Sequence, residues 1–204
     1  MIVLNSQQIK EAERLAMQAQ GITSWQLMER AAEKLFQWIK AHCQREKHIT
    51  VLAGTGNNGG DGLALARMLL NDGRNVTTYL LHFSPQLSPD CQQNKELLQA
   101  QGHPVAEIYP EQADSIQLSE VVIDAIFGIG LNRPAPQWLQ QLFAKLNTSR
   151  SEVLSVDMPS GLPADAISIG DALWVHPKKV LTFQNPKLPF LLPTTGQYIP
   201  DWEV

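Results

Sequence analysis

Three places in the chain bring a carboxylate and glycines to the end of a short apolar run. In AGTGNNGGDG (residues 53–62), Gly54, Gly56 and Gly59 fall on the spacing G-x-G-x-x-G, with Asn57, Asn58, Gly60 and Asp61 interleaved. Glycines there permit positive φ and close backbone approach, and a following helix start offers unpaired N–H groups to an anion. The two common nucleotide motifs nevertheless do not fit. A dinucleotide fold needs an acid about 20 residues on, at the next strand's end, to hold a ribose, and TTYLLHFSP supplies none. A phosphate loop needs Lys-Ser or Lys-Thr after its last glycine, where Asp61-Gly62 stands instead. A glycine-rich turn without a ligand is the plain alternative. Asn57 and Asn58 each carry an amide oxygen and an NH2 group, able to bind a cation or polar ligand without adding charge. Asp61 reads two ways, as a ligand group or as a helix cap, where negative charge gains about 0.3–1 kcal/mol.

The second place is Asp124, inside the apolar run VVIDAIFG. An ionised carboxylate there is costly unless paired, hydrogen-bonded or bound to metal, so Asp124 points to a ligand role. GIGLNRP (128–134) follows at once. SVDMPSG brings Asp157 and Ser160 to the turn after another apolar run. Oxygen ligands from Asn58, Asp124 and Ser160 suit a hard cation, whereas zinc sites favour Cys and His. With one carboxylate among them, a monovalent ion fits better than Ca2+, which usually recruits several. The five histidines form no metal pattern and read as surface or core residues, and no G-x-S-x-G elbow is present. Lys187 is also available for acid/base work, but a lysine in a proline-rich edge loop reads first as solvated.

A common platform must position these groups. Ser6 to Gln20 carries a helical stripe of Ile9, Ala12, Leu15, Ala16 and Ala19. Thr23 and Gln26 are spaced as a capping box for a second helix, whose core face is Met28, Ala32, Leu35, Ile39 and Cys43. Then the period changes. ITVLAG (49–54), NVTTYLLHF (75–83), EVVIDAIFG (120–128) and EVLSVDMPSG (152–161) are β-rich runs, separated by helical stretches near 60–72, 90–101 and 136–147. Strands alternating with helices imply parallel pairing through right-handed crossovers. The expected fold class is α/β: a three-layer α/β/α sandwich, Rossmann-like, with a mostly parallel sheet, in one domain over residues 1–204. Ligands of such sheets bind beyond the carboxyl ends of the strands, which would gather the polar groups on one edge. Two further strands are expected near 172–176 and 179–183. The proline-rich tail is expected to pack on the body through its apolar residues.

A hydrophobic fraction of 44% with 18% charged residues is that of a globular domain able to bury a core. A net charge of -4 argues against nucleic acid or an anionic membrane as the partner. No apolar run approaches the roughly 18 residues needed to span a bilayer. The N-terminus lacks the basic-then-apolar pattern of a secretory signal. Cys43 and Cys91 read as free thiols in a reducing cytoplasm.

AGTGNNGGDGLALAR, VIDAIFGIGLNR and SVDMPSGL, in this order and spacing, closely resemble the NAD(P)HX epimerase family, also called the YjeF N-terminal domain. LMERAA (27–32) and VLTFQNPK (180–187) are similar to that family's segments as well, so the resemblance spans nearly the whole chain. It implies an enzyme of metabolite repair. NADH and NADPH can hydrate at C6 of the nicotinamide ring, giving R and S epimers of NADHX and NADPHX. The family interconverts them, so that an ADP- or ATP-dependent dehydratase acting on the S form restores the cofactor. The resemblance also implies a Rossmann-like fold, a homodimer and a bound potassium ion (K+).

Carried over by residue, Asn57, Asn58, Gly59, Gly60 and Asp61 match the family's first substrate-binding segment. Gly128, Ile129, Gly130, Leu131, Asn132, Arg133 and Pro134 match the second, where Arg133 can offer phosphate a charge-assisted hydrogen bond. Asn58, Asp124 and Ser160 match the potassium ligands. Asp157 matches a substrate-contacting aspartate and is the candidate for acid/base work. C6 of the hydrate carries a hydroxyl and the ring nitrogen, so loss of water gives a planar iminium that water re-enters from either face; ring opening and reclosure is the other route. Asp165 and Asp171 find no counterpart among the family's acids. After Val204 there is no room for the dehydratase domain that many bacterial members append, so a stand-alone epimerase or part of a longer chain is expected. Two other classes stay open: a nicotinamide-dependent oxidoreductase, against which the missing ribose acid speaks, and a non-catalytic nucleotide-binding or interaction module.

Overall fold

The computed structural model describes residues 2–167 and 173–204. Helices α1 (Ser6–Gln20) and α2 (Ser24–His42) come first, each opened by a reciprocal capping box. The Thr23 hydroxyl accepts from Gln26 N at 3.2 Å and the Gln26 amide oxygen from Thr23 N at 2.9 Å, as the spacing predicts. Met28, Ala32, Leu35 and Ile39 form the buried face of α2, and Cys43 closes the helix as its C-cap. The stripe expected on α1 is different from the observed one. Ile9 alone is fully buried, Glu13, Ala16 and Met17 are partly covered, and Ala12, Leu15 and Ala19 face outward. The inward face therefore follows steps of four, three and one and includes a charged residue.

Strands β1 (Ile49–Ala53), β2 (Val76–Leu81), β3 (Ala106–Ile108), β4 (Val121–Ala125), β5 (Glu152–Val156), β6 (Lys179–Leu181) and β7 (Trp202–Glu203) form one sheet. Their order is β3-β2-β1-β4-β5-β6-β7, with every pair parallel. Helices α3 (Asn57–Asn71), α4 (Pro89–Ala100) and α5 (Gln137–Thr148) supply crossovers. The period of two along each strand sorts its side chains into two cores. Val51, Ala53, Ile123 and Ala125 pack with α2, α3 and α4. Leu52, Val122 and Val153 pack with Leu139, Leu142, Phe143 and Leu146 of α5 on the other face. Burying one such side chain gains about 1.5–3 kcal/mol, and strands covered on both sides read as unbroken apolar runs.

The three-layer sandwich is thus as expected, while several bounds move. β3 and β7 were not foreseen. Residue 172 lies outside the described residues, and 173–176 are irregular, not a strand. Asn147 of α5 clamps that segment by donating to Trp174 O (2.8 Å) and accepting from His176 N (2.7 Å), and Val175 N turns to Ser160 O (2.8 Å). Its backbone groups are spent away from the sheet. The tail forms two short helices, α6 (Leu188–Leu191) and α7 (Pro193–Gly196), and returns as β7. Phe190 and Ile199 bury with Met158, Leu162, Trp174 and Val180. Cys43 and Cys91 are free and buried; burial pushes the Cys91 thiol up to about 12. Among the described residues no helix is long and apolar enough to cross a membrane.

Candidate active site

The strand order reverses direction between β1 and β4, and the crevice of an open α/β sheet lies at such a switch point. A cavity of about 740 Å3 opens there, walled by the ends of β1, β4 and β5. Of the residues matched to substrate binding, Asn57, Asn58, Asp61, Gly128, Ile129, Gly130, Leu131, Asn132, Arg133, Pro134 and Asp157 line it. Gly59 and Gly60 do not. They lie buried beneath the first turn of α3, where a Cβ on Gly59 would overlap the Gly54 carbonyl oxygen and one on Gly60 would meet Met28 Sδ at 2.7 Å.

This first turn corrects two expectations. The helix begins at Asn57, not near residue 60, with Gly56 as an N-cap that supplies no side-chain hydrogen bond. None of the glycines from 54 to 62 has positive φ; Gly54, Gly59 and Gly62 are small so that α3 can press onto the ends of β1 and β4, Gly60 faces Met28 of α2, and Gly56 has open space around it. Asp61 follows the first turn of α3 and does not cap it. It stands on the cavity wall instead. Burial first, then the neighbouring Asp157, Glu13 and Asp90 carboxylates, hold its pKa well above the usual range.

Asp124 is fully buried yet satisfied. Its Oδ2 accepts from Ser155 Oγ (2.7 Å), its register partner on β5, and from Ser160 N (2.9 Å). Its Oδ1 accepts from Ser160 Oγ at 2.5 Å, and Ser160 Oγ itself accepts from Phe127 N at 2.9 Å. Burial pushes the Asp124 carboxyl up, and the Ser160, Ser155 and Ile126 donors pull it back. Asp124 and Ser160 sit behind the cavity wall, at the turn that carries Gly128. Asn58 reaches the same turn from α3: a Cβ on Gly128 would lie 3.2 Å from Asn58 Oδ1 and 3.1 Å from Asp157 Oδ2. Asn58 Nδ2 is one of six buried side-chain polar atoms without a hydrogen-bond partner among the described residues, and the one whose residue lines the cavity.

Asp157 occupies the bend after β5 with φ 63°, a left-handed conformation that aspartate tolerates better than most residues but at a cost. Its N–H is bonded to Leu181 O at 2.7 Å. The largest departure from expectation lies beneath it. Lys187 is 1% exposed, not solvated. Its Nζ donates to Asp157 Oδ1 (2.6 Å), Thr182 Oγ1 (2.6 Å) and Phe183 O (2.8 Å), filling all three ammonium bonds. Thr182 Oγ1 adds a bond to the same Asp157 oxygen at 3.3 Å. One carboxylate oxygen is thus pinned and the other lies beside Gly128. The one sequence signal for Lys187 and Thr182 was the family-like segment VLTFQNPK (180–187), which holds both without showing that they meet Asp157.

The cavity has walls that the motifs did not reveal. Lys10 and Glu13 enter from α1, and Phe83, Ser84, Gln86, Leu87 and Ser88 come from the loop after β2. No carboxylate stands in that loop, where an ordinary dinucleotide fold keeps its ribose acid. Asp165 lies elsewhere, accepting from Ser6 N at 2.9 Å; Asp171 lies outside the described residues.

Fold and crevice define a Rossmann-like α/β protein whose switch-point site is polar, carboxylate-bearing and closed by an N-terminal helix. The chain belongs to the family described as YjeF-related protein N-terminus, which matches residues 24–188. It is similar to the bifunctional NAD(P)H-hydrate repair enzyme Nnr of Coxiella burnetii, 35% identical over 91% of this chain and 37% of that protein. The Moorella thermoacetica enzyme of the same name is 34% identical over 81% of this chain and 33% of its own length, so the chain spans about a third of these relatives. The NAD(P)H-hydrate epimerase of Rhodobacter capsulatus is 34% identical, with 80% of this chain and 79% of that protein covered. Among solved structures, yeast ynu0 (YNL200c) superposes with a TM-score of 0.74 at 26% identity, covering 98% of this chain and 84% of that one.

Proposed function

We propose that the chain epimerises the R and S forms of hydrated NADH and NADPH, in repair of nicotinamide nucleotides. The observation that carries this reading is the meeting of Asn58 and the free oxygen of Asp157 at Gly128, on the wall of a crevice of about 740 Å3. Its volume is ordinary for a small-molecule site. The relatives named as epimerases supply the substrate class. The buried Lys187–Asp157 pair supports an acid/base role for Asp157. Its pinned Oδ1 leaves Oδ2 as the proton-handling atom on one face of the nicotinamide ring, and such aid typically contributes roughly 10²–10⁴-fold. Protonation of the hydroxyl breaks the C–O bond with its electron pair, the ring nitrogen supplies the C=N bond, and returning water gives up a proton as C–O reforms.

Asn58, Asp124 and Ser160 fit a potassium ion. They offer oxygen donors with one carboxylate among them, and the Asn58 amide oxygen stands at the Gly128 turn. Such an ion, when bound, would supply a fixed positive charge beside the Gly128 turn. The proposed partner is a dehydratase acting on the S epimer, as the bifunctional relatives' names suggest, and the resemblance supports a homodimer. A cytoplasmic setting agrees with the two free, buried cysteines.

The test is incubation with mixed NADHX epimers and a dehydratase specific for the S form. Complete consumption of the R form above the spontaneous rate is expected. Asp157→Asn should abolish that excess with the fold intact; wild-type rates in this variant would remove Asp157 from the mechanism.

A further inference from the structure

We infer that Glu13, on the inward face of α1, is a second acid–base residue of this site and gives the proton to the departing C6 hydroxyl of the hydrated nicotinamide ring. This rests on the epimerase reading above and assigns a residue outside the family's matched segment, which begins at residue 24.

The need for it is stereochemical. Inversion by loss and return of water requires a proton to be handled on each face of the planar iminium. Asp157 has one oxygen held by Lys187 and Thr182, and its backbone is locked in the bend after β5. It serves one face. A group for the opposite face has to come from another element, and Glu13 does. It lines the cavity four residues after Ile9, the one fully buried residue of α1. Its Oε1 accepts from Gln184 Nε2 at 2.9 Å, which ties α1 to the loop beyond β6. Asp61, the third carboxyl of the wall, arrives with α3 from the β1 side.

The charges around Glu13 favour a proton donor. Burial pushes its carboxyl above the usual range, and the Asp157 carboxylate adds to the rise. The Gln184 hydrogen bond opposes it most, followed by Lys187 and by Lys10 on its own helix; Asp61 on α3 is a further acid in the same field. In the forward step the Glu13 proton goes to the hydroxyl, C–O breaks, and water departs. Water then adds to the other face and its extra proton passes to Asp157. The reverse epimerisation, or exchange with solvent, restores the starting protonation.

The experiment compares purified wild type, Glu13→Gln and Gln184→Met in the coupled assay, with a pH profile of kcat/KM. Because Glu13 acts as an acid, activity should fall as pH rises through its pKa. Glu13→Gln should lower kcat by about 10²-fold or more and remove this alkaline limb. Gln184 is exposed, so Gln184→Met should fold; it deletes the bond that pulls Glu13 down and should move the limb to higher pH. An unmoved limb in Gln184→Met overturns the assignment even if Glu13→Gln does not fold. So does a wild-type rate in Glu13→Gln, or a limb that follows Asp61→Asn alone. A wild type no faster than the spontaneous reaction instead overturns the epimerase reading, and the role of Glu13 with it.

Discussion

Lys187 Nζ lies 2.6 Å from Asp157 Oδ1 with only 1% of its side chain exposed, so a buried ion pair forms the floor of the candidate active site. Removing one partner of such a pair typically costs about 3–5 kcal/mol, because the other charge is left unpaired. Asp157 keeps 12% of its side chain accessible, so water can relieve part of that. Lys187→Met should therefore cost about 3 kcal/mol in urea denaturation and abolish epimerisation. The double variant with Asp157→Asn should recover much of the stability and none of the activity. A double-variant cost equal to the sum of the two single-variant costs would show that the pair is not coupled.

Gly128 and Gly54 should respond to alanine in opposite ways. A Cβ on Gly54 would overlap the Ile126 carbonyl oxygen, whereas one on Gly128 meets the side-chain oxygens of Asp157 and Asn58 at 3.1 and 3.2 Å. Backbone cannot yield; side chains can, by a few tenths of an ångström. Gly54→Ala should lose the fold by circular dichroism. Gly128→Ala should keep its melting temperature and lose on the order of 10²-fold in kcat/KM, the scale of a small misplacement of reacting groups.

Ser160→Ala takes a donor from Asp124 Oδ1 and an acceptor from Phe127 N together. Each buried group left unsatisfied costs about 1–3 kcal/mol. The proposed ion adds a second readout. KCl, and not choline chloride at equal ionic strength, should raise the wild-type melting temperature, by the equivalent of about 2.7 kcal/mol at a hundred times Kd. Asp124→Asn and Ser160→Ala should lose that increment. A potassium response that survives in both variants would place the ion elsewhere.

Asp61 predicts a pH dependence of stability. Its pKa is held well above the usual range, by burial first. Between the unfolded and folded values the native chain therefore binds more protons than the unfolded one, and stability falls as pH rises. The contribution is complete below the unfolded value and gone above the folded one. Urea midpoints of Asp61→Asn should exceed those of wild type increasingly as pH rises through that window. A constant difference across it would contradict the assignment.

Much of this architecture was legible in the chain itself. The β-rich runs at 49–54, 75–83, 120–128 and 152–161 announced parallel strands, and the strands found lie inside them, because a strand covered on both faces has no polar side to show. The candidate site residues Asn58, Asp124, Asp157 and Ser160 were legible too, since each places a polar group where an apolar or purely structural one would serve. β3 and β7 were not, being only three and two residues long, too short for any period. Residues 173–176 misled for the converse reason: Trp174 and Val175 are buried and so look like strand, but Asn147 takes up their neighbouring backbone groups.

What the sequence determined alone was the layer order and the chemical types at the sheet's carboxyl edge, because hydrophobic periodicity and punctuation by glycine are local properties. Only the tertiary structure decided which groups share a field. Lys187 is thirty residues from Asp157 and Glu13 lies on a separate helix, yet both act on one cavity. Charges interact through space with a strength set by burial and distance, and neither quantity is written along the chain.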